Sequence, residues 1–153
     1  MIGWLLDTNV VAEIIGRRAE PRVRAWADAQ DEADLHLSVL TFGEYEKGLA
    51  KLPLSSPRRL PINAHIASLR TRFSGRILSV SDNIVLRWGA ISGLLKQVTN
   101  VYPPVVDAML AATAIEHGLY LVTRNVKDVR HTGATVFNPW QDDPTRFPII
   151  RRH

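Results

Sequence analysis

Five short apolar runs, each separated from the next by a helical stretch, limit the folds open to this chain. The runs cover about residues 2–6, 35–39, 77–80, 119–122 and 135–137. The second alternates as Leu35-His36-Leu37-Ser38-Val39, which is the period of a strand. Between the runs, apolar residues recur at helical spacing. From Thr8 to Gly16, Val10, Val11, Ile14 and Ile15 share one side. From Glu20 to Ala29, Pro21 sits in the first turn and Val23, Trp26 and Ala27 point inward. Helices are further predicted from Thr41 to Leu52, stopped by Pro53, and from Ser55 to Phe73, after the Pro57 and Pro61 interruptions. A long helix capped by Ser81 or Asp82 runs to about Gln97, with Ile84, Val85, Trp88, Ile91, Leu94 and Leu95 inward. An Ala-rich helix spans Val105 to Glu116 and closes at His117-Gly118. Strands that alternate with helices pair in parallel and carry helices on both faces. The spacing therefore predicts an α/β fold with a central, mostly parallel sheet of four to five strands.

The chain has 153 residues, enough for one core. Residues 1–140 are expected to form a single domain. Residues 141–153 form a basic tail around Phe147-Pro148-Ile149-Ile150, and the sequence leaves open whether it docks or stays disordered. No apolar stretch approaches the roughly 20 residues of a membrane span. Residues 1–6 lack the basic start of a signal peptide. There is no cysteine. These features fit a reduced, cytoplasmic setting. The net charge is +4, and 15 of the 19 basic residues are Arg, many in clusters such as Arg17-Arg18, Arg58-Arg59 and Arg151-Arg152. Arg suits bidentate phosphate recognition, so a nucleic-acid partner is one reading and solvated surface charge is the other.

Asp7 ends the first apolar run, and the carboxyl ends of parallel strands form the usual ligand crevice. Burying a lone carboxylate is costly unless it is hydrogen-bonded or bound to a cation. Glu44 and Asp107 open helices, and Asp128 follows the fourth run. These acids are distant in sequence, but strand ends of a parallel sheet are neighbours in space. Together they could hold Mg²⁺, which takes one or two carboxylates plus water and phosphate oxygens and assists phosphodiester hydrolysis. Each acid also has a simpler role. Asp7 could cap a helix. Thr41-Phe42-Gly43-Glu44 fits a capping box. Asp107 could complement a helix dipole, and Thr123-Arg124-Asn125-Val126-Lys127-Asp128 could be a polar turn. Spacing alone leaves both readings open. Other chemistries lack their motifs: there is no G-x-S-x-G, P-loop or G-x-G-x-x-G. The five His (His36, His65, His117, His131, His153) are dispersed. A receiver-type acidic fold would need an acid pair after the first strand and an Asp after the third. Here the third run ends at Val80-Ser81. Trp140, after Asn138-Pro139, is expected to pack a terminal turn.

Taken in order, Leu5-Leu6-Asp7-Thr8-Asn9-Val10, Ser38-Val39-Leu40-Thr41-Phe42-Gly43-Glu44, Val106-Asp107-Ala108-Met109-Leu110-Ala111-Ala112-Thr113-Ala114, Leu121-Val122-Thr123-Arg124-Asn125 and Phe137-Asn138-Pro139-Trp140 resemble a PIN domain. The set looks most like VapC-type toxins of the FitB-like group and extends from Ile2 to Trp140. The resemblance implies a three-layer α/β/α sandwich and a metal-dependent endoribonuclease, the toxin of a type II toxin–antitoxin pair. It implies cleavage of RNA at a Mg²⁺ or Mn²⁺ site. It also implies a homodimer, and silencing in a heterotetramer or larger assembly by a small DNA-binding antitoxin of the VapB or FitA kind. By motif, Asp7, Glu44 and Asp107 would be the core acids. Asp7 and Asp107 would hold the metal, and Glu44 a coordinated water or a second ion. Thr8 and Thr123 would support them as hydroxyls. Many family members carry Asp where this chain has Asn125, and Asp128 stands three residues on; either fills the fourth place. Arg124, Lys47 and Lys51 would position flanking phosphates. The competing readings are a PIN-type RNA-maturation nuclease and a non-catalytic module that binds RNA or a partner.

Overall fold

The computed structural model describes residues 1–151; Arg152 and His153, the end of the basic tail, lie outside the described residues. Five strands, β1 (Trp4–Leu6), β2 (Leu35–Ser38), β3 (Ile77–Leu78), β4 (Tyr120–Val122) and β5 (Val136–Phe137), form one sheet in the order β3-β2-β1-β4-β5. Every pairing is parallel, with Leu5 opposite both His36 and Leu121. The run read as a strand to residue 80 pairs only over Ile77–Leu78, because β3 is an edge with a single neighbour.

Alternation along the strands sorts the core into two layers. Trp4 and Leu6 of β1, with Leu35, Leu37, Tyr120, Val122 and Phe137, face one cluster. That cluster is completed by α1 (Thr8–Ile15), α2 (Pro21–Asp28), α3 (Val39–Ala50) and α4 (Arg59–Arg72). Leu5 and Leu121 face the other, with Leu110, Ala111 and Ala114 of α6 (Val105–His117) and Val129 of α7 (Val126–Val129). A sheet covered on both faces needs strands that are apolar throughout, and β1 and β4 are. Pro61 falls within the first turn of α4, where its missing N–H has no intrahelical acceptor to lose.

Helix α5 (Asp82–Thr99) lies on α6 and contributes nothing to either core cluster. Only a narrow stripe of it is therefore covered. Ile84 is buried and Trp88, Ile91 and Leu95 are half-buried, whereas Val85 and Leu94, expected to point inward, are 42% and 62% exposed. The tail segment packs on the domain. Phe147 and Ile149 lie against the first cluster, Ile150 N–H donates to the Met1 carbonyl at 2.9 Å, and the Tyr120 hydroxyl donates to the Pro148 carbonyl at 3.0 Å. Among the described residues no helix is long and apolar enough to cross a membrane.

Candidate active site

The chain builds β1, β2 and β3 outward in one direction, then returns to place β4 on the other side of β1. The crevice outside the carboxyl ends of β1 and β4 is thus the switch point of the sheet. Asp7 leaves β1 there and Thr123 leaves β4. Asp7 Oδ1 accepts from Thr8 N–H at 2.7 Å, capping α1. Its Oδ2 accepts from the Thr123 hydroxyl at 2.7 Å and from Asn9 Nδ2 at 3.1 Å. The carboxyl is only 7% exposed, and burial pushes its pKa upward against these three hydrogen bonds.

A second chain of contacts brings in α3. The Thr8 hydroxyl lies 2.8 Å from Glu44 Oε1 and 3.3 Å from the buried Thr41 hydroxyl. The capping-box reading of Thr41 and Glu44 is overturned. Ser38 caps α3 by accepting from Leu40 N–H, so Thr41 lies inside the helix and Glu44 turns toward Thr8. Asp107, in the first turn of α6, has no hydrogen-bond donor on its carboxyl among the described residues. Its pKa is raised to about 6, first by burial, then by the negative charges of Asp7, Asp128 and Glu44. The charges of those three acids thus reach Asp107.

Among the described residues none of these four carboxylates forms an ion pair. No three His, Asp or Glu side chains among the described residues stand close enough to enclose one ion by themselves. The donor set is all oxygen, carries excess negative charge and is crossed by hydroxyls. That suits a hard divalent cation which takes two carboxylates and completes its shell with water and phosphate.

A PIN domain model matches residues 4–133. The chain belongs to the PIN-domain family. This PIN domain is 32% identical over 139 residues to Toxin FitB of Neisseria gonorrhoeae, covering 90% of this chain and 99% of the relative. It is 30% identical over 137 residues to VapC ribonuclease Y4jK of Sinorhizobium fredii, covering 90% and 97%. Among solved structures it resembles FitAB bound to an IR36 DNA fragment, with a TM-score of 0.79 and 28% identity, covering 92% of this chain and 97% of that one.

Hydrogen bonds thus join Asp7, Thr8, Glu44 and Thr123 at one crevice, and the charges of Asp7, Glu44 and Asp128 reach Asp107. Asn125 lies at the rim of the crevice: its N–H donates to the Thr123 hydroxyl at 3.0 Å, while its exposed carboxamide has no partner among the described residues. Asp128 sits in the first turn of α7, a short helix where a polar turn was one of the readings open from the sequence. Two residues carry site contacts that the sequence did not foretell. Asn9 donates to Asp7 and to the Thr123 hydroxyl, and its Oδ1 accepts from Arg124 N–H at 3.3 Å. Thr41 extends the hydroxyl chain from Thr8. The visible signal for Asn9 was its place two residues after Asp7.

Proposed function

We infer that this PIN domain is a metal-dependent endoribonuclease acting as the toxin of a VapBC-like toxin–antitoxin system in the cytoplasm. The observation that carries the chemistry is Asp107: a carboxyl without a donor, crowded by three further acids, favours a cation in place of its proton. Asp7 and Asp107 would hold the ion, Mg²⁺ or Mn²⁺, and Glu44 would act at its outer shell. When bound, such a cation polarises a phosphodiester and lowers the pKa of water. The protein's own groups do the rest. Thr8 N–H, Thr123 and Asn9 fix both oxygens of Asp7, so its orientation is set before substrate arrives. The Thr8 hydroxyl orients Glu44, whose free oxygen can take a proton from the attacking water. Asp128 supplies the charge absent at Asn125, since it already acts on Asp107. Arg124, Lys47 and Lys51 are exposed and offer cations to the flanking phosphates.

An antitoxin partner is supported by the toxin names of the relatives and by the FitAB structure. We place its docking segment in a cleft of about 250 Å³ between α1, α2 and α4, lined by Leu6, Val11, Ile14, Ile15, Leu69 and Phe73, with Arg24 and Arg72 at its edge. Ile15, on the apolar side of α1, is 43% exposed there. A homodimer that joins a larger complex with the antitoxin completes the reading.

Induced expression of wild type and Asp7→Asn in a bacterial host tests the proposal, with growth and RNA 5′ ends recorded. Growth arrest and new ends with wild type alone are expected. Growth without new ends, from soluble wild-type protein, would instead support a maturation nuclease or a binding module.

A further inference from the structure

Beside the crevice, on the far side of β4, lies a second cleft of about 420 Å³, of which the chemistry above uses only the Arg124 and Asn125 edge. Arg124, Asn125, Lys127, Asn138, Trp140 and Gln141 line it, and no acid does. Its size is that of a small-molecule pocket. Trp140 is half-buried and packs against the core cluster, while the Arg124 guanidinium stands 5.1 Å from its ring centroid.

The platform is built rather than incidental. Trp140 N–H donates to Asn138 Oδ1 at 3.0 Å, and Asn138 N–H donates to Asp142 Oδ2 at 2.7 Å. Arg22 then clamps the same turn through the carbonyls of Gln141 and Asp142. The cleft is also continuous with the acidic crevice. Arg124 N–H is held by Asn9 and Asn125 N–H by Thr123, the two residues that hold Asp7 Oδ2. A ligand here lies within one or two residues of Thr123, which holds Asp7.

Aromatic rings and guanidinium planes are the usual stacking partners of unpaired bases, and cations beside them hold the phosphates. The carboxamides of Asn125 and Gln141 have no partners among the described residues and can meet the donors and acceptors of a base edge. We propose that Trp140 and Arg124 form a stacking platform for one nucleobase next to the scissile phosphate, with Gln141 reading its edge. This rests on the ribonuclease reading above. The cationic lining, the absence of acids and the continuity with the crevice favour a nucleotide over a peptide.

The test uses the full chain and a pool of hairpin RNAs with randomised loops, cut in Mg²⁺, with rates measured and the new 5′ ends sequenced. Trp140→Leu keeps apolar bulk and loses the stacking face; Trp140→Phe restores a ring. Gln141→Ala alters an exposed side chain without touching the core, so it folds even where a Trp140 variant does not. Wild type and Trp140→Phe should show a base preference at one position flanking the cut. Trp140→Leu should cut about tenfold more slowly, with that preference flattened. Gln141→Ala should flatten the base preference at that position, with a smaller loss of rate than Trp140→Leu. Wild-type rate and pattern in both Trp140→Leu and Gln141→Ala would overturn the proposal while leaving the ribonuclease reading intact, and would leave the platform to a protein partner. No cleavage by wild type would overturn both.

Discussion

Asp7 meets two demands with two oxygens: one caps α1 and the other is fixed across the crevice by Thr123. The capping reading of the sequence therefore holds for this residue. Thr123→Val removes one bond to Asp7 with little change in volume. It should lower cleavage roughly 10- to 100-fold while the far-UV spectrum stays native, as losses behind a metal ligand do. Asp107 gives a pH signature. Its folded pKa of about 6 lies above the ordinary 3.8, so the folded state binds the extra proton in that window. Without divalent cation, this group's contribution to stability falls as pH rises from about 4 to 6 and is level above. Asp107→Asn should therefore melt higher than wild type at neutral pH by about 1 kcal/mol after solvent screening, with the gap closing near pH 4. The same variant should not cleave. In wild type, cleavage should climb as pH passes about 6, because a protonated Asp107 must lose its proton to take a cation. A melting series in chelator and a pH–rate profile check both statements. None of this pKa behaviour was legible in the sequence, because it arises from acids that only the fold brings together.

At the scale of elements, the sequence showed all five strands and six of the seven helices, because apolar runs and helical periods are local signals. It placed the starts of α1, α5 and α6 but not that of α3. Ser38 rather than Thr41 caps α3, and that depends on where β2 stops pairing with β3. Nor did it show which face of α5 is covered, since α5 has an apolar residue on nearly every side and α6 shields only one. The Ala content of α6 has a clear purpose: Ala108, Ala111, Ala112 and Ala114 are all buried, which lets this helix pass between the sheet and α5. Ala111→Leu should overpack that layer against Leu5 and Leu121 and cost about 1–3 kcal/mol in urea unfolding, without touching the acids.

For the whole molecule, the parallel order was open to sequence reasoning, but the docking of the tail was not. Phe147 packs edge-to-face against Phe137 and Tyr120, with ring centroids 4.8 and 5.3 Å apart, a long-range contact with no local signature. Deleting residues 142–153 should lower stability by about 3 kcal/mol, the burial of one large aromatic, measurable as a drop in melting temperature. The order of the strands has one more consequence. Asp7 is bound to Thr123 across 116 positions of chain, and β4 completes its place in the sheet beside β1, the first strand made. A chain still being translated holds Asp7 and Glu44 long before Asp107 and Thr123 emerge. Until then its acidic crevice is incomplete. The site is thus assembled only late in the chain's own synthesis.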